Sequence, residues 1–293
     1  MTFMLTRDIL VRTLIAPRLH DCLITQKQKK LEFTKVMRLE DNEMFSACFV
    51  RLRRALSGLK LQAIINAQID ESNCREWGNR ISKADYFAEI QSVQPIHNQL
   101  IEEPQFMVSE LYYNAIKILI INFSSILEFF LKDSMRLNMM RNYSLLKKGL
   151  IESKQSINPI DIVEINDIEQ LRLKYINIIS NIMSSGELWS NKIKKYIKFM
   201  DLPNNLYAEV INKEIDSIWK IRNDIAHANT RILSLNYGEV IYKYGSDISV
   251  DEYTQFALLF TKLVDDTMTF LLKVDKLSLE KWKTTDGALL HRK

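Results

Sequence analysis

Arg222, Asn223 and His227 lie within six positions of one another near the end of a predicted helix. Histidine titrates near neutral pH and can take or give a proton. Arginine matches the geometry of phosphate and stabilises negative charge that develops during a reaction. Together these residue types can bind and cleave a phosphodiester. RNA fits such a site best, because its own 2′-hydroxyl can attack the phosphate once a base has removed the proton.

The helical pattern keeps these residues away from the core-facing side of their helix. At about 100° per residue, Ile218, Ile221 and Ile225 cluster within about 60° and form the core stripe. His227 lies almost opposite that stripe, Asn223 lies one turn earlier on nearly the same face, and Arg222 flanks the core edge. The alternative interpretation is that the arginine and the histidine are surface residues near a helix C-terminus, where the macrodipole favours cations.

The segment from Arg222 to His227, which reads RNDIAH, resembles the signature of the HEPN superfamily. That signature has an arginine, then a polar residue that is often asparagine, then a histidine near the end of a helix. The order of the helices is also similar: a long apolar helix with an embedded acid at Glu128, the signature helix, and a final amphipathic helix. The resemblance covers roughly residues 105–277 and leaves the first 100 residues unmatched.

The resemblance implies an all-α bundle that forms a homodimer through the signature helices, with Arg and His of two copies in one composite site. It also implies metal-independent RNA cleavage without a cofactor, in toxin–antitoxin or phage-defence systems. In such a site Arg222 holds and polarises the phosphate, His227 moves protons and Asn223 orients the site. Glu128 anchors Arg222, or else is an ordinary glutamate of its helix. Some members of the superfamily keep the fold and lose the activity.

Composition excludes several other classes of protein. The chain has 293 residues, is 47% hydrophobic and has a formal net charge of +4, which argues against disorder. With only 7 Gly and 5 Pro, and no GxGxxG or GxxxxGK[ST] motif, Walker-type NTPases and Rossmann dehydrogenases are excluded. Cys22, Cys48 and Cys74 have no CxxC spacing, which predicts a reducing, cytoplasmic location. Arg7 and Arg12 interrupt the N-terminal apolar stretch, so no signal peptide is expected.

Helical periodicity and the proline sites predict the organisation of the chain. We expect an all-α, HEPN-like helical bundle with a small β-hairpin insertion and an N-terminal helical region. The predicted domains are residues 1–100 of unknown role, 105–277 as the HEPN-like domain, and 278–293 as a polar tail. The clearest helices are predicted over residues 44–68, 106–140, 168–182, 189–200, 206–227 and 250–274.

Two local signals follow the signature helix. Residues 231–244 carry β-branched and aromatic side chains on both sides of an Asn-Tyr-Gly turn, which predicts a hairpin with Gly238 at a positive φ angle. Ser249 and Glu252 then have the spacing of a capping box at the start of the final helix.

The apolar segment Ala115 to Leu131 could be mistaken for a membrane span. It contains Lys117 and Glu128 and is shorter than the roughly 20 residues with few charges that a spanning helix needs. We therefore interpret it as the central buried helix of a bundle and expect no membrane contact, with membrane association as a third, less favoured idea.

Basic residues form two clusters that are either solvated helix faces or contacts to the RNA backbone. Contact with the RNA backbone is the less favoured interpretation. The first cluster contains Lys192, Lys194, Lys195 and Lys198, with Tyr196 available to stack on a base. The second contains Arg51, Arg53, Arg54 and Lys60.

Other residues that bind metals or act in catalysis elsewhere lack suitable partners. His20, His97 and His291 are scattered, without partners at metal-ligand spacing. Asp265 and Asp266 are neighbours in a predicted helix, so their side chains diverge and are expected at the surface.

Two functions from different classes are compatible with these patterns. The leading hypothesis is a metal-independent endoribonuclease of HEPN type, a toxin or anti-phage defence effector with an antitoxin or other defence-system partner. The alternative is a catalytically inactive HEPN-like adaptor that binds a partner protein or nucleic acid.

Overall fold

The computed structural model describes residues 46–82, 94–156, 167–226, 234–236, 239–241 and 248–282. Within these ranges there are nine α-helices and one two-stranded sheet. The helices are α1 (Ala47–Asn66), α2 (Glu71–Ser82), α3 (Gln94–Glu102), α4 (Pro104–Arg141), α5 (Tyr143–Glu152), α6 (Ile168–Met183), α7 (Trp189–Phe199), α8 (Glu209–Ala226) and α9 (Val250–Lys281). The strands are β1 (Ser234–Asn236) and β2 (Glu239–Ile241), and a 3-10 turn spans Asn204–Leu206.

The described residues divide into two compact units, those within Ser72–Glu102 and those within Phe45–Glu71 and Glu103–Lys293. In the first unit, α2 and α3 approach closely at Gly78. A Cβ atom at this position would lie only 2.7 Å from Cγ1 of Ile101 and 3.3 Å from Cβ of Leu100. The absence of a side chain at position 78 therefore lets the two helices pack, with Cys74 fully buried on α2.

The second unit is organised around α4, the long apolar helix that the sequence predicts at residues 106–140. This helix contacts α1, α5, α6, α7, α8 and α9. Among the described residues it is the one helix long and apolar enough to cross a membrane, and half of its most apolar stretch is buried against the protein. Leu119, Phe123 and Leu127 are completely buried, as a core helix requires.

A polar residue separates α4 from α5, a helix that the sequence patterns did not predict. Asn142 adopts an extended conformation and its side chain accepts hydrogen bonds from the backbone N–H groups of Ser144 and Leu145. This is an N-cap, which ends one helix and starts the next without a proline or glycine.

The last helix, α9, begins with the predicted capping box. The Ser249 side chain accepts from the Glu252 N–H, and the Glu252 carboxylate accepts from the Ser249 N–H. The helix ends at Lys281, seven residues beyond the predicted end at Val274. It continues because Asp275 and Ser278 are buried and extend its core-facing stripe.

A short hairpin connects α8 to α9 within the segment where the sequence predicts one. β1 and β2 are antiparallel, with Ser234 opposite Ile241 and Asn236 opposite Glu239. Gly238, predicted to have a positive φ angle, lies outside the described residues. The helical fold class is confirmed, while the domain boundaries drawn from the sequence stay a prediction.

Candidate functional site

The signature residues lie on α8, a helix with a strongly buried face. Glu209 stands in its first turn, where an acid suits the helix dipole, and pairs with Lys213 at 2.9 Å. Ile218 and Ile221 of the predicted core stripe are completely buried, whereas Ile225 is partly exposed. The burial of this stripe holds α8 against its neighbouring helices.

Arg222 and Asn223 are both partly exposed near the C-terminal end of α8, where Arg222 flanks the buried stripe and Asn223 lies nearly opposite it. The Arg222 guanidinium donates a hydrogen bond from Nη1 to Oδ1 of Asn223 at 3.1 Å. Arg222 forms no ion pair with a carboxylate in the part of the chain that the structure describes. Asn223 is a neutral partner that orients the guanidinium and leaves its charge uncompensated. The remaining N–H donors therefore suit an anion such as phosphate. His227 lies outside the described residues, directly after the end of α8.

Two residues in the first turn of α7 contact one face of α8, at three positions spaced four and three residues apart. The Trp189 indole donates to Oδ1 of Asn212 at 2.7 Å, and the Ser190 backbone N–H donates to the Asp216 carboxylate at 2.8 Å. One turn further along α8, the rings of Trp189 and Trp219 lie 5.8 Å apart.

The three contacted positions of α8 indicate that Asn223 lies on the side of the helix that faces α7. Positions 212, 216 and 219 share one side of the helix, and position 223 continues the same row within about 60°. The face of α8 that contacts α7 therefore continues to Asn223, a residue of the signature segment. Asn212, Asp216 and Trp219 are not among the residues predicted from the sequence, although their spacing of four and three residues is typical of one helix face.

Glu128, predicted to anchor Arg222, has a different partner in the structure. Its carboxylate accepts a hydrogen bond from the Lys192 ammonium. The Lys192 ammonium also lies 4.8 Å from the centre of the Trp219 ring. Glu128 is therefore linked to the signature helix through Lys192 and Trp219.

The predicted RNA-binding lysines of α7 separate into two groups. Lys194, Lys195 and Lys198 are exposed, as a surface that binds the RNA backbone requires. Lys192 differs from that prediction, because its side chain is only 7% exposed. It lies three residues after Trp189 and four before Tyr196, within the apolar stripe of the helix, and this spacing was a readable signal.

Tyr196 also differs from its predicted role of stacking on a base. The residue is completely buried, and its hydroxyl is hydrogen-bonded to Ser134 at 2.7 Å and to Ser278 at 3.1 Å. Burial raises the pKa of this phenol, so it stays protonated. Tyr196 therefore acts in the core, where it joins α7 to α4 and α9.

The other candidate residues from the sequence are an acidic pair, a second basic cluster and three histidines. Asp265 is exposed and forms an ion pair with Lys60 at 2.5 Å. Arg51 of the second basic cluster is 3.7 Å from Asp133. His20, His291 and the side chain of His97 lie outside the described residues. Across the described ranges, no group of three His, Cys, Asp or Glu side chains has the proximity to hold a metal ion.

Comparison with known families confirms that this helical chain is a member of the HEPN superfamily. The chain belongs to the RiboL-PSP-HEPN family, because the model of that family matches residues 82–271, well over half of the sequence. The match includes the complete segment from Arg222 to His227. No curated protein and no solved structure matches the chain.

Proposed function

We propose that this HEPN protein is a metal-independent endoribonuclease, acting as a toxin or anti-phage defence effector. The observation that carries the proposal is the placement of Arg222. It is partly exposed on a helix fixed by buried Ile218 and Ile221, and its guanidinium is oriented by the bond to Asn223. This placement suits an arginine that binds phosphate from a preformed position.

The residues of the signature are sufficient for a balanced cleavage step. His227 takes the proton from an RNA 2′-hydroxyl, whose oxygen attacks the neighbouring phosphorus while the bond to the 5′-oxygen breaks. The products are a 2′,3′-cyclic phosphate and a 5′-hydroxyl, whose proton comes from a second protonated histidine or from water. Arg222 stabilises the negative charge that grows on the phosphate oxygens, and Asn223 keeps the guanidinium in place.

A composite site in a homodimer is supported by apolar surface on the helix packed against α8. Phe129 of α4 is 63% exposed and Ile121, two turns earlier, is 38% exposed. A second copy that covers these side chains would remove apolar surface from water on α4, a helix that contacts α8.

Cleavage of total RNA in EDTA tests the proposal directly. Arg222→Ala and His227→Ala are each expected to lower the cleavage rate by about 100-fold or more, because each removes a group that acts in the transition state. Lys220→Ala is the matched control, since Lys220 is an exposed cation on the same helix; His20→Ala is the control for histidine. Equal rates in the wild type and His227→Ala would refute the catalytic role.

Mixing the two inactive variants tests the composite site. If a site takes Arg222 from one protomer and His227 from the other, a heterodimer of Arg222→Ala and His227→Ala contains one intact site. Mixing after brief dissociation is then expected to restore a substantial part of the activity. If mixed and unmixed samples are equally inactive, a site that needs only one Arg222 and one His227 from opposite protomers is refuted. A wild type that binds a partner tightly without RNA turnover would instead favour the adaptor function.

A further inference from the structure

Lys192 is a buried cation in a helix whose other lysines face solvent. Its side chain is 7% exposed, whereas Lys194, Lys195 and Lys198 are exposed. Removing an ammonium group from water is costly unless it gains partners of opposite charge or an aromatic face. Lys192 has both, since it pairs with the Glu128 carboxylate and lies over the Trp219 ring.

These two partners belong to two different helices, and one of these helices carries the signature. Glu128 is on α4, and Trp219 is on α8, three residues before Arg222. Three residues of helix correspond to about 4.5 Å along its axis. Trp219 is only 1% exposed, so its ring is held by its surroundings and transmits any displacement to the helix backbone.

We propose that Lys192 is a positioning residue, whose ammonium joins Glu128 of α4 to Trp219 of α8 and thereby sets the rotation of the signature helix. The catalytic consequence rests on the function proposed above. The ion pair defines where the ammonium lies, and the cation–π contact fixes the indole against it. Because displacement of a catalytic group by about 1 Å can cost about 100-fold in rate, this link controls how well Arg222 meets the phosphate.

Lys148 provides a matched control with the same chemistry in another place. Its ammonium is 2.5 Å from the Asp201 carboxylate and 5.8 Å from the centre of the Phe199 ring, and its side chain is 22% exposed. It also donates to the Phe199 carbonyl at 2.8 Å. Apart from Glu152 of its own helix, at 3.8 Å, its partners lie at and just beyond the end of α7, and none of them is on α8. Loss of this lysine removes a comparable set of contacts without touching the signature helix.

The experiment compares Lys192→Met, Lys192→Arg and Lys148→Met by two measurements. The first is hydrogen–deuterium exchange of the backbone amides of residues 215–226, followed by mass spectrometry. The second is cleavage of a fluorophore- and quencher-labelled RNA oligonucleotide in EDTA, from which kcat and KM are obtained separately. Methionine keeps the apolar stem of lysine without the charge, while arginine keeps the charge and can stack on indole.

Lys192→Met is expected to increase the amide exchange rate in residues 215–226 by about tenfold. It is also expected to lower kcat by about tenfold, with KM within about twofold of the wild type. Lys192→Arg should restore both quantities to within about threefold. Lys148→Met should leave both at the wild-type level.

Wild-type exchange in Lys192→Met, or an equal increase in Lys148→Met, would overturn the positioning role. An unchanged kcat in Lys192→Met would overturn it for catalysis. Failure of the proposed function is recognised separately, as a wild type that does not cleave the oligonucleotide or cleavage that persists in Arg222→Ala. In that case the exchange measurement still decides whether Lys192 positions α8.

Discussion

Replacing Ser46 with alanine removes two interactions that hold the start of α1. The Ser46 hydroxyl accepts a hydrogen bond from the Phe49 N–H at 3.1 Å, and so acts as the N-cap of the helix. The same hydroxyl donates to Oδ1 of Asp275 on α9 at 2.5 Å. Ser46 and Asp275 are 2% and 1% exposed, so water cannot replace either bond in the folded protein.

The expected loss follows from these two contacts. An N-cap contributes about 1 kcal/mol, and a buried hydrogen bond to a carboxyl group contributes about 1 to 3 kcal/mol. Asp275 keeps its second bond, from the Ser46 backbone N–H at 2.9 Å, because alanine retains that donor. We therefore expect Ser46→Ala to lower the free energy of unfolding by about 3 kcal/mol, or Tm by about 6 to 12 °C.

Ser249→Ala is the matched control, because Ser249 is also an N-cap serine but is exposed and has no bond to another helix. It should lower the free energy of unfolding by about 1 kcal/mol only. Urea unfolding monitored by circular dichroism measures both variants. If the two serine variants lose the same stability, the bond to Asp275 contributes nothing and the expected difference of about 2 kcal/mol is refuted.

Two further predictions concern charge. Burial raises the pKa of Asp275, and the Ser46 hydrogen bonds and Arg141 oppose this rise only in part. Because the folded protein holds this proton more tightly than the unfolded chain, its free energy of unfolding falls as the pH rises above about 4, the usual pKa of aspartate. Urea unfolding across the acidic range should show wild-type stability falling relative to Asp275→Asn as the pH rises, and a difference that does not change with pH would contradict the assignment; Asp265→Asn, at an exposed position of the same helix, is the control. Changing Lys194, Lys195 and Lys198 together to alanine should weaken RNA binding and reduce the slope of log affinity against log salt by about 2, at about 0.7 per phosphate contact. Fluorescence anisotropy measures that slope, and an unchanged value would show that these lysines do not contact the RNA backbone.

The parts of the fold that were predictable are those that local sequence controls. The long apolar run specifies α4, and the Ser249 and Glu252 pair specifies the start of α9. Helix α5 escaped prediction because the break before it depends on one asparagine, whose side chain caps the next helix. Asparagine favours both helix caps and turns, so its capping role becomes visible only when the backbone conformation is known.

The site shows the same division between what spacing determines and what packing determines. Helical spacing predicts that Arg222 flanks a buried stripe and that Asn223 lies nearly opposite it, because the side chains of one helix have fixed relative directions. It cannot tell which basic residue meets Glu128, since that depends on how α4, α7 and α8 cross. Arg222 was the candidate because it shares a motif with His227, yet the ammonium that reaches Glu128 belongs to Lys192, from a helix outside the motif. Arg222 is consequently left with a neutral partner, Asn223, and a guanidinium that is not neutralised by a described carboxylate can accept a phosphate without first breaking an ion pair.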